Sequence, residues 1–600
     1  MAGRDRSAPD AARPVRVPGA VHVVLVGPRP ERLAAQLAGL AARRPIAVEL
    51  ADSAALPNRV RDAAANRHAF AAIDTAVVVP DEALLRIVDD PTLRLATLVR
   101  RGAGPHPVAT DGSIVLSSAT AWHPVPGGDG DAVGVVYVRA AVAGAVAERL
   151  DGLDPALAAL DPIDLLLVAL VRDAALPPVT AVALDPLPGG RAADAEAVTA
   201  LASDVGQVDA ADLASRTAAR TGDGFYSTFV LRRIAARVTP WAVRRGIQAN
   251  AVTVLSALIG VAGAVSFAFG TYPALVLGAL LLQVSIVLDC VDGEIARVTR
   301  TRSPFGAWLD AATDRLKEYA ALAGLAIGAG PGWWWVATAG MVVQTARHMH
   351  DFAFAKGVLA AYRRARERDT RSLSDTSPWK RAAGSQSGES GSASMWVRRV
   401  IHMPIGERWL VLSVAALLNA PGAGLVAYLA LAVLSGGWTL LGALRRNTSG
   451  MAESGTVVRR TLADYRDDGV LLPFTTGRRP GGVLGWLLPS ALTVAEGAVL
   501  VGLTQAVAAD WAAAAFLWFA VVAWHRYDVV YRRGGETPMV PSVVSMLGGG
   551  WPARIAALLL GAAFGVLPAV LVAGTIWMTL VYVPESLATG VRTRRIEAWA

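Results

Sequence analysis

The stretch LDCVDGEIARVTRTRSPFGAWLDAATDRLKEY, residues 288–319, decides the fold class because it sets charged residues in and beside two long apolar runs. Asp289 and Asp292 end the first run, and Asp310 and Asp314 begin the second. An unpaired charge is costly in a lipid bilayer, so acids within membrane segments usually face a polar interior and serve a function. The stretch therefore predicts a membrane domain with a functional site near one surface.

The composition indicates a chain that is partly soluble and partly embedded in a membrane. Hydrophobic residues make up 54% of the 600 residues, and the mean hydropathy of +0.42 is too apolar for an ordinary soluble protein. The formal net charge is +8. Its basic residues stand in blocks beside apolar segments, which suits anionic lipid head groups and predicts no nucleic-acid partner. The single cysteine, Cys290, excludes an intrachain disulfide.

The hydrophobic pattern changes along the chain and predicts a multi-domain protein, with an α/β domain at the N-terminus and an all-α domain in the membrane. Between residues 21 and 222, short β-branched runs alternate with Ala-rich helical stretches, a pattern typical of an α/β domain around a mostly parallel sheet. The predicted regions are a disordered lead (1–20), this soluble α/β domain (21–222), an interfacial helix (223–245), a six-helix membrane unit (246–446), a polar linker (447–480) and a C-terminal membrane region (481–600).

Apolar stretches long enough to cross a bilayer recur after residue 246. Those of the six-helix unit are 251–270, 272–290, 308–328, 332–349, 408–420 and 424–443, and those beyond it are 483–506, 511–526 and 555–582. The last run is longer than one span needs, and GVLP at 565–568 is a candidate break within it, so the C-terminal region has three or four helices. His525, Arg526 and Tyr527, at a predicted helix end, are interpreted as anchors at the membrane interface.

The distribution of Lys and Arg predicts the topology. Basic residues fill the segment before the first span, the connection between the second and third, the loop 356–408 and the segment after the sixth, whereas the other three connections carry no charge. Since cytoplasmic loops carry the excess of Lys and Arg, both ends of the six-helix unit are expected in the cytoplasm. We therefore expect a multi-pass cell-membrane protein whose N-terminal domain and aspartate site face the cytoplasm.

The aspartate spacings indicate a metal site. Spacings of three and four residues place each pair on one helix face, and the two faces can converge. Four close carboxylates repel one another unless cations lie among them, and Mg²⁺ or Mn²⁺, which take oxygen ligands, fit best. A carboxylate cage with two such ions that also grips phosphate is a device for phosphoryl transfer. Two alternatives stay open: a solvated interfacial charge for any single aspartate, and an ion-coupled transporter for the set.

The full pattern resembles the signature of the CDP-alcohol phosphotransferase family, D-x2-D-G-x2-A-R-x8-G-x3-D-x3-D, and matches it at every position within a resemblance that covers roughly residues 225–445. The resemblance implies that Asp289, Asp292 and Asp310 bind the metals, with Asp314 as a shared ligand or as the general base. It also implies that Gly293, Ala296, Arg297 and Gly306 help to hold the CDP part. Upstream, IQANAVTVLS (247–256) adds Asn250 and Thr253 to the CDP site, with Ala249 where proline is usual.

The resemblance implies a reaction in which a phosphoryl-alcohol group is transferred from a CDP-alcohol to a second alcohol and CMP is released. We expect CDP-diacylglycerol as donor, in phospholipid or inositol-phosphate biosynthesis; the alternative joins a soluble CDP-polyol to a phosphorylated polyol. Arg347, His350 and Lys356, near the end of the fourth span, are candidates for binding the acceptor, and a positive-inside anchor is the competing interpretation. The other expected partner is the bilayer, and a homodimer is left open.

The N-terminal domain resembles the cytidylyltransferase that precedes such a membrane unit in bifunctional proteins. The resemblance is one of architecture, because such an enzyme needs a G-x-G-T-R type loop after its first strand. VHVVLVGPRPERL (21–33) has one glycine there, and its prolines remove amide donors. We expect either a degenerate, inactive nucleotidyltransferase-like domain or an unrelated α/β module with a binding or regulatory task.

Overall fold

The computed structural model describes residues 21–28, 30–41, 46–51, 56–66, 68–90, 93–111, 114–120, 125, 128–151, 160–173, 176–209, 213, 224–369, 401–448, 467–471, 487–534 and 540–599. The chain forms two compact units. The first comprises Met1–Asp89 and Leu93–Ala210, and the second comprises Asp90–Thr92 and Ala211–Ala600. The predicted lead (1–20) and most of the predicted linker (447–480) lie outside the described residues.

The N-terminal unit is built on an eight-stranded sheet. Its strands are β1 (Val21–Val26), β2 (Ile46–Ala51), β3 (Ala69–Asp74), β5 (Leu95–Arg101), β6 (Pro107–Asp111), β7 (Ile114–Ser118), β8 (Gly130–Val138) and β9 (Thr180–Ala183); β4 (Val77–Val78) and β10 (Gly190–Arg191) form a separate pair. The helices are α1 (Glu31–Ala41), α2 (Leu56–Ala65), α3 (Asp81–Val88), α4 (Ala140–Asp151), α5 (Pro162–Arg172) and α6 (Ala195–Gly206). This confirms the predicted α/β class.

The sheet is mixed, with the order β2-β1-β3-β8-β5-β9-β7-β6. Strand β1 runs parallel to β2 and β3, and β5 runs parallel to β9. Strand β8 is antiparallel to both of its central neighbours, β3 and β5. The prediction of a mostly parallel sheet was therefore wrong. The sequence of β8, GDAVGVVYV, is apolar from Ala132 to Val138 and buried along its whole length, and such a run does not reveal strand direction.

The described part of the second unit begins with α7 (Arg232–Arg244), entered through a π-helical turn at Ser227–Leu231, and continues through six further helices. These are α8 (Ala249–Ala268), α9 (Tyr272–Val298), α10 (Pro304–Ala329), α11 (Trp334–Asp369), α12 (Ile405–Leu417) and α13 (Pro421–Thr448). Six helices thus lie in the described part of 246–446, the number predicted. Local signals set the ends of α10: the Ser303 hydroxyl accepts from the amide of Gly306 at 3.0 Å, and Gly330 leaves the helix at φ 110°.

The C-terminal region adds α14 (Leu488–Val507), α15 (Ala512–Gly534), a short α16 (Ser542–Leu547), α17 (Gly550–Ala563) and α18 (Leu567–Trp599). The long run 555–582 is divided between two helices, because α17 ends just before Gly565, which has φ 69°. Among the described residues, the C-terminal region therefore has four long helices. This is the larger of the two numbers predicted.

Six helical segments of the described chain are long and apolar enough to cross a membrane: Ala249–Ala268, Tyr272–Val298, Pro421–Gly442, Leu488–Val507, Ser542–Ala563 and Leu567–Arg594. Large side chains such as Leu258, Leu434 and Leu580 are more than 60% exposed on these segments, as expected of surfaces that face lipid. Helices α10 and α15 fall outside this set because charged side chains lower their hydropathy. Most of those charged side chains are buried inside the bundle, among them Lys317 and Glu318 of α10 and Arg526 of α15.

The C-terminal helices enclose a buried ion network. Glu496 of α14 pairs with Arg526 of α15 at 2.7 Å and with Arg554 of α17, and Arg554 pairs with Asp467 at 2.7 Å. His525 stacks on Tyr582 of α18, with ring centroids 3.8 Å apart. His525, Arg526 and Tyr527 are each at most 4% exposed. Their interpretation as interface anchors was wrong, because their partners lie on helices that sequence proximity does not reveal.

Candidate active site

Helices α9 and α10 carry the predicted aspartates to one place. Asp289 and Asp292 lie in the C-terminal half of α9, and Asp310 lies in the second turn of α10. Each of these three offers a carboxylate oxygen, and the three oxygens lie within 4.8 Å of one another. The helix spacing predicted from the sequence therefore does bring three of the four carboxylates together.

The fourth carboxylate, Asp314, is connected to the others through a lysine. The ammonium nitrogen of Lys317 lies 3.0 Å from Asp314 Oδ1 and also pairs with Asp289 Oδ1. Lys317 has no solvent exposure. Lys317 was not among the site residues predicted from the sequence. Its position three residues after Asp314 places it on the same face of α10 and was the signal that could have revealed it.

Helix α8 contributes two of the residues predicted to bind CDP. The hydroxyl of Thr253 donates to Asp292 Oδ2 at 2.6 Å, so Thr253 orients a carboxylate of the cluster. Asn250 lies against the start of α10, where a Cβ added to Gly306 would stand only 3.2 Å from Asn250 Oδ1. A glycine at 306 thus allows the first turns of α8 and α10 to approach closely.

The remaining CDP candidates lie on α9, after the first aspartate pair. A Cβ added to Gly293 would lie 3.2 Å from Arg297 Nη1, so the glycine leaves room for the guanidinium to fold back along the helix. Ala296 and Arg297 are both half-buried. The structure therefore places Gly293, Ala296 and Arg297 on the helix that carries Asp289 and Asp292, while their contact with CDP stays a prediction.

Helix α7 is fastened to α9 by polar contacts. The hydroxyl of Thr239 donates to Glu294 Oε2 at 2.7 Å, and Arg232 lies 3.4 Å from Glu294 Oε1. On its other side α7 exposes apolar residues: Ile234 is 41% exposed and Trp241 is 48% exposed. This combination of a fixed polar face and a free apolar face is typical of a helix lying in a membrane interface.

The predicted acceptor residues are placed differently from the aspartates. Arg347 is buried and donates to the carbonyl of His402 and to the Ser435 hydroxyl, which ties α11 to α13. His350 is 7% exposed. The side chain of Lys356 lies outside the described residues. The contacts of Arg347 are those of helix packing, and an acceptor-binding role for these three residues stays a prediction.

A second buried network lies next to Asp314 along α10. Glu318 accepts from Tyr428 at 2.8 Å and pairs with Arg408 at 2.7 Å and with Arg315. The guanidinium carbon of Arg315 lies 4.7 Å from the ring centroid of Tyr527, on α15. The helix that carries Asp310 and Asp314 is therefore held from both directions, by α12 and α13 of the six-helix unit and by a C-terminal helix.

The donor set fits a hard divalent cation. All three clustered ligands are carboxylate oxygens, the ligand type that Mg²⁺ and Mn²⁺ prefer. Two oxygens bound to one Mg²⁺ lie at most about 4.2 Å apart, since each metal–oxygen bond is about 2.1 Å long. The three oxygens, all within 4.8 Å of one another, therefore need only a small side-chain adjustment to bind one ion. Asp292 is oriented by Thr253, as carboxylate ligands of metals usually are by hydrogen bonds.

A bundle of membrane-length helices with clustered carboxylates where two neighbouring helices end and begin defines the class: a polytopic membrane protein whose carboxylate cluster is suited to a divalent cation. Residues 247–374 match the family model described as CDP-alcohol phosphatidyltransferase, and this part of the chain is a domain of that family. Residues 470–598 match a family of unknown function, DUF5941. The described C-terminal helices α14–α17 lie within that second match, and α18 ends one residue beyond it.

Curated relatives resemble a limited part of the chain. It is 40% identical over 112 residues to the bifunctional IPC transferase and DIPP synthase of Aquifex aeolicus, which covers 19% of this chain and 25% of that protein. The protein of the same name from Thermococcus kodakarensis is 38% identical over 125 residues, 20% of this chain and 28% of that protein. The phosphatidylinositol phosphate synthase of Mycobacterium marinum is 39% identical over 115 residues, 18% of this chain and 44% of that protein. The chain thus spans less than half the length of each of these relatives.

Proposed function

We propose that the six-helix unit transfers a substituted phosphoryl group from a CDP-alcohol to the hydroxyl of an acceptor and releases CMP. One observation carries this proposal: the family domain at 247–374 brings three aspartates of the signature to within one ion's reach. The proposed domain is 246–446, with the α/β domain over 21–222 and the membrane region over 481–600 as separate modules. The proposed location is the cell membrane, with the site on the cytoplasmic side.

The residues divide the chemistry between them. Asp289, Asp292 and Asp310 hold the divalent cation, Mg²⁺ or Mn²⁺. A cation bound there neutralises the diphosphate and polarises the bond to the CMP leaving group. Arg297 is suited to a fork-shaped contact with a phosphate. Asp314 accepts the proton of the acceptor hydroxyl while the new phosphorus–oxygen bond forms and the bond to CMP breaks.

Lys317 has a defined effect on that base. Its ammonium group, 3.0 Å from Asp314 Oδ1, stabilises the carboxylate in its charged form and keeps it in place. Two metal ions were expected from the sequence. A site with two ions would draw on all four carboxylates. Lys317 already pairs with two of them, Asp289 and Asp314, so its position limits the number of ions that the site can bind.

For the donor, we propose CDP-diacylglycerol, with an inositol-phosphate type acceptor. This is supported by the spans that flank the site and by the likeness to a phosphatidylinositol phosphate synthase. The second candidate, a soluble CDP-polyol joined to a phosphorylated polyol, is supported by the likeness to the bifunctional IPC transferase and DIPP synthase. Both use the same site and the same chemistry. They differ in whether the donor enters from the bilayer or from water.

For the N-terminal domain, we propose a binding or regulatory task without nucleotidyl transfer. Asp74, at the end of β3, pairs with Arg191, which also pairs with Asp161 and with Asp164 at 2.9 Å. Burial alone would lower the pKa of Arg191, but these three carboxylates raise it above its ordinary value. Because an arginine already neutralises this group of acids, they are poorly suited to hold a metal-bound nucleotide.

The decisive experiment incubates purified full-length protein in lipid nanodiscs with Mg²⁺ or Mn²⁺, one donor and a panel of acceptors. CMP release is measured, and the product is identified by mass. A metal-dependent CMP signal with CDP-diacylglycerol supports the lipid reaction, and one with a soluble CDP-polyol supports the second candidate. Asp292→Asn should abolish release, whereas Asp510→Asn, the same change at an exposed site, should not. No release with any donor would overturn the proposal and favour an ion-coupled transporter.

A further inference from the structure

We propose that Lys317 takes the place of one metal ion, so that the site binds a single divalent cation through Asp289, Asp292 and Asp310. Lys317 is then a permanent internal cation, and Asp314 is its partner rather than a metal ligand. The inference rests on the proposed function, since it concerns the same site, and it fixes the number of ions that this site can use.

The surroundings of the ammonium group are complete without a metal. The ammonium donates hydrogen bonds to Asp289 Oδ1 and, at 3.2 Å, to the Ser256 hydroxyl, and it forms an ion pair with Asp314 Oδ1 at 3.0 Å. The nitrogen also lies 5.3 Å from the ring centroid of Trp409, within the range of cation–π attraction. Each of these neighbours favours a positive charge at this point.

The lysine stem is held by packing and does not merely reach toward the acids. A Cβ added to Gly260 of α8 would lie 2.9 Å from Lys317 Cγ and 3.0 Å from its Cδ, so the stem occupies space that only glycine leaves. Beside it, Ser256 and Ser285 each donate to the other's carbonyl, at 2.8 and 2.7 Å, which keeps α8 and α9 in close contact. The stem of Lys317 is therefore packed against α8 at a point where α8 and α9 are in close contact.

The division of the carboxylates agrees with this arrangement. The three oxygens within 4.8 Å of one another come from Asp289, Asp292 and Asp310, and Asp314 contributes none to that group. A second divalent cation ligated by Asp289 and Asp314 would share two ligands with the ammonium and would be repelled by it at close range. The geometry therefore provides one place for a metal and one for Lys317.

The test counts metal ions and so does not depend on turnover. Purified full-length protein is equilibrated with Mn²⁺, bound manganese is measured by dialysis and elemental analysis, and electron paramagnetic resonance shows whether bound ions are coupled. We expect one uncoupled Mn²⁺ per chain. In Lys317→Met, which keeps the length and loses the charge, we expect two Mn²⁺ with a coupled signal. Lys380→Met, in the polar stretch 372–394, is the matched control and should keep one.

A second variant keeps the inference testable if Lys317→Met does not fold. Asp314→Asn should leave one Mn²⁺ bound with unchanged affinity, because Asp314 is not a ligand, whereas Asp292→Asn should lose it. Two Mn²⁺ in the unaltered protein, or loss of an ion in Asp314→Asn, would overturn the inference. Two ions together with CMP release would leave the proposed function intact, and one ion without CMP release would overturn the function alone.

Discussion

Thr253 of α8 donates a 2.6 Å hydrogen bond to Oδ2 of Asp292 in α9, and both side chains are buried. This contact joins the first helix of the six-helix unit to the carboxylate cluster. It leaves Asp292 one oxygen for a cation and fixes the direction in which that oxygen points. Orientation of a ligand by a neighbouring hydroxyl is a common feature of metal sites.

Thr253→Val should weaken divalent-cation binding. The change removes the hydroxyl and keeps the shape, so Asp292 Oδ2 loses the hydrogen bond from Thr253 while the packing of α8 is preserved. Loss of such a supporting contact typically costs about 10–100-fold in metal affinity. Mn²⁺ titration of CMP release measures it, and Thr253→Ser should retain most of the affinity. Equal Mn²⁺ dependence in the Val variant and the unaltered protein would contradict the role given to Thr253.

Asp314→Asn should slow turnover without preventing folding. Removing a general base typically costs about 10²–10⁴-fold in rate, and an asparagine oxygen can still accept a hydrogen bond from Lys317. The rate of CMP release at saturating metal measures the effect, with Asp510→Asn as the exposed control. An unchanged rate would show that Asp314 is not the base.

Gly324→Ala should destabilise the six-helix unit. The added Cβ would lie 2.1 Å from the carbonyl oxygen of Ala264, so α8 and α10 would have to move apart. Overpacking of this kind costs about 1–3 kcal/mol. Gly502 of α14 has no atom within 4 Å of an added Cβ, and Gly502→Ala should instead stabilise its helix by about 0.5–1 kcal/mol. Thermal unfolding in detergent compares the two, and similar midpoints would refute the close approach.

Glu496→Gln should destabilise the C-terminal helices. Glu496 is fully buried and pairs with both Arg526 and Arg554, so its loss leaves excess buried positive charge. Breaking a buried pair from one side typically costs about 3–5 kcal/mol. Unfolding followed by hydrogen exchange in α14 and α17 measures this cost. Glu196→Gln, at an exposed position of α6, is the matched control, and equal protection in the two variants would argue against a stabilising network.

The N-terminal sheet should become less stable as the pH falls through the range around 6.5. Burial lowers the pKa of His22 below its ordinary value, and neighbouring His68, stacked at 4.4 Å between ring centroids, lowers it further. The folded state thus binds fewer protons than the unfolded state, so the stabilising contribution is complete above pH 6.5 and is lost below it. Hydrogen exchange of β1 and β3 at pH 7.5 and 5.5 measures the effect. His22→Gln should reduce the difference; if the full difference persists, His22 is not its source.

The sequence by itself determined the membrane class and the α/β class of the N-terminal domain. It also predicted a cluster of four aspartates, of which the structure groups Asp289, Asp292 and Asp310. These follow from local rules, because helix periodicity fixes which residues share a face and apolar length fixes which segments can span a bilayer. The family signature carried the rest of the functional hypothesis.

Only the tertiary structure decided which charges meet across helices. Lys317 reaches Asp289, 28 positions earlier, and Arg554 reaches Asp467, 87 positions earlier. The antiparallel course of β8 was likewise hidden, since a fully buried strand has the same apolar pattern in either direction. Partner choice between distant segments depends on how helices and strands pack, and no periodicity within one segment records it.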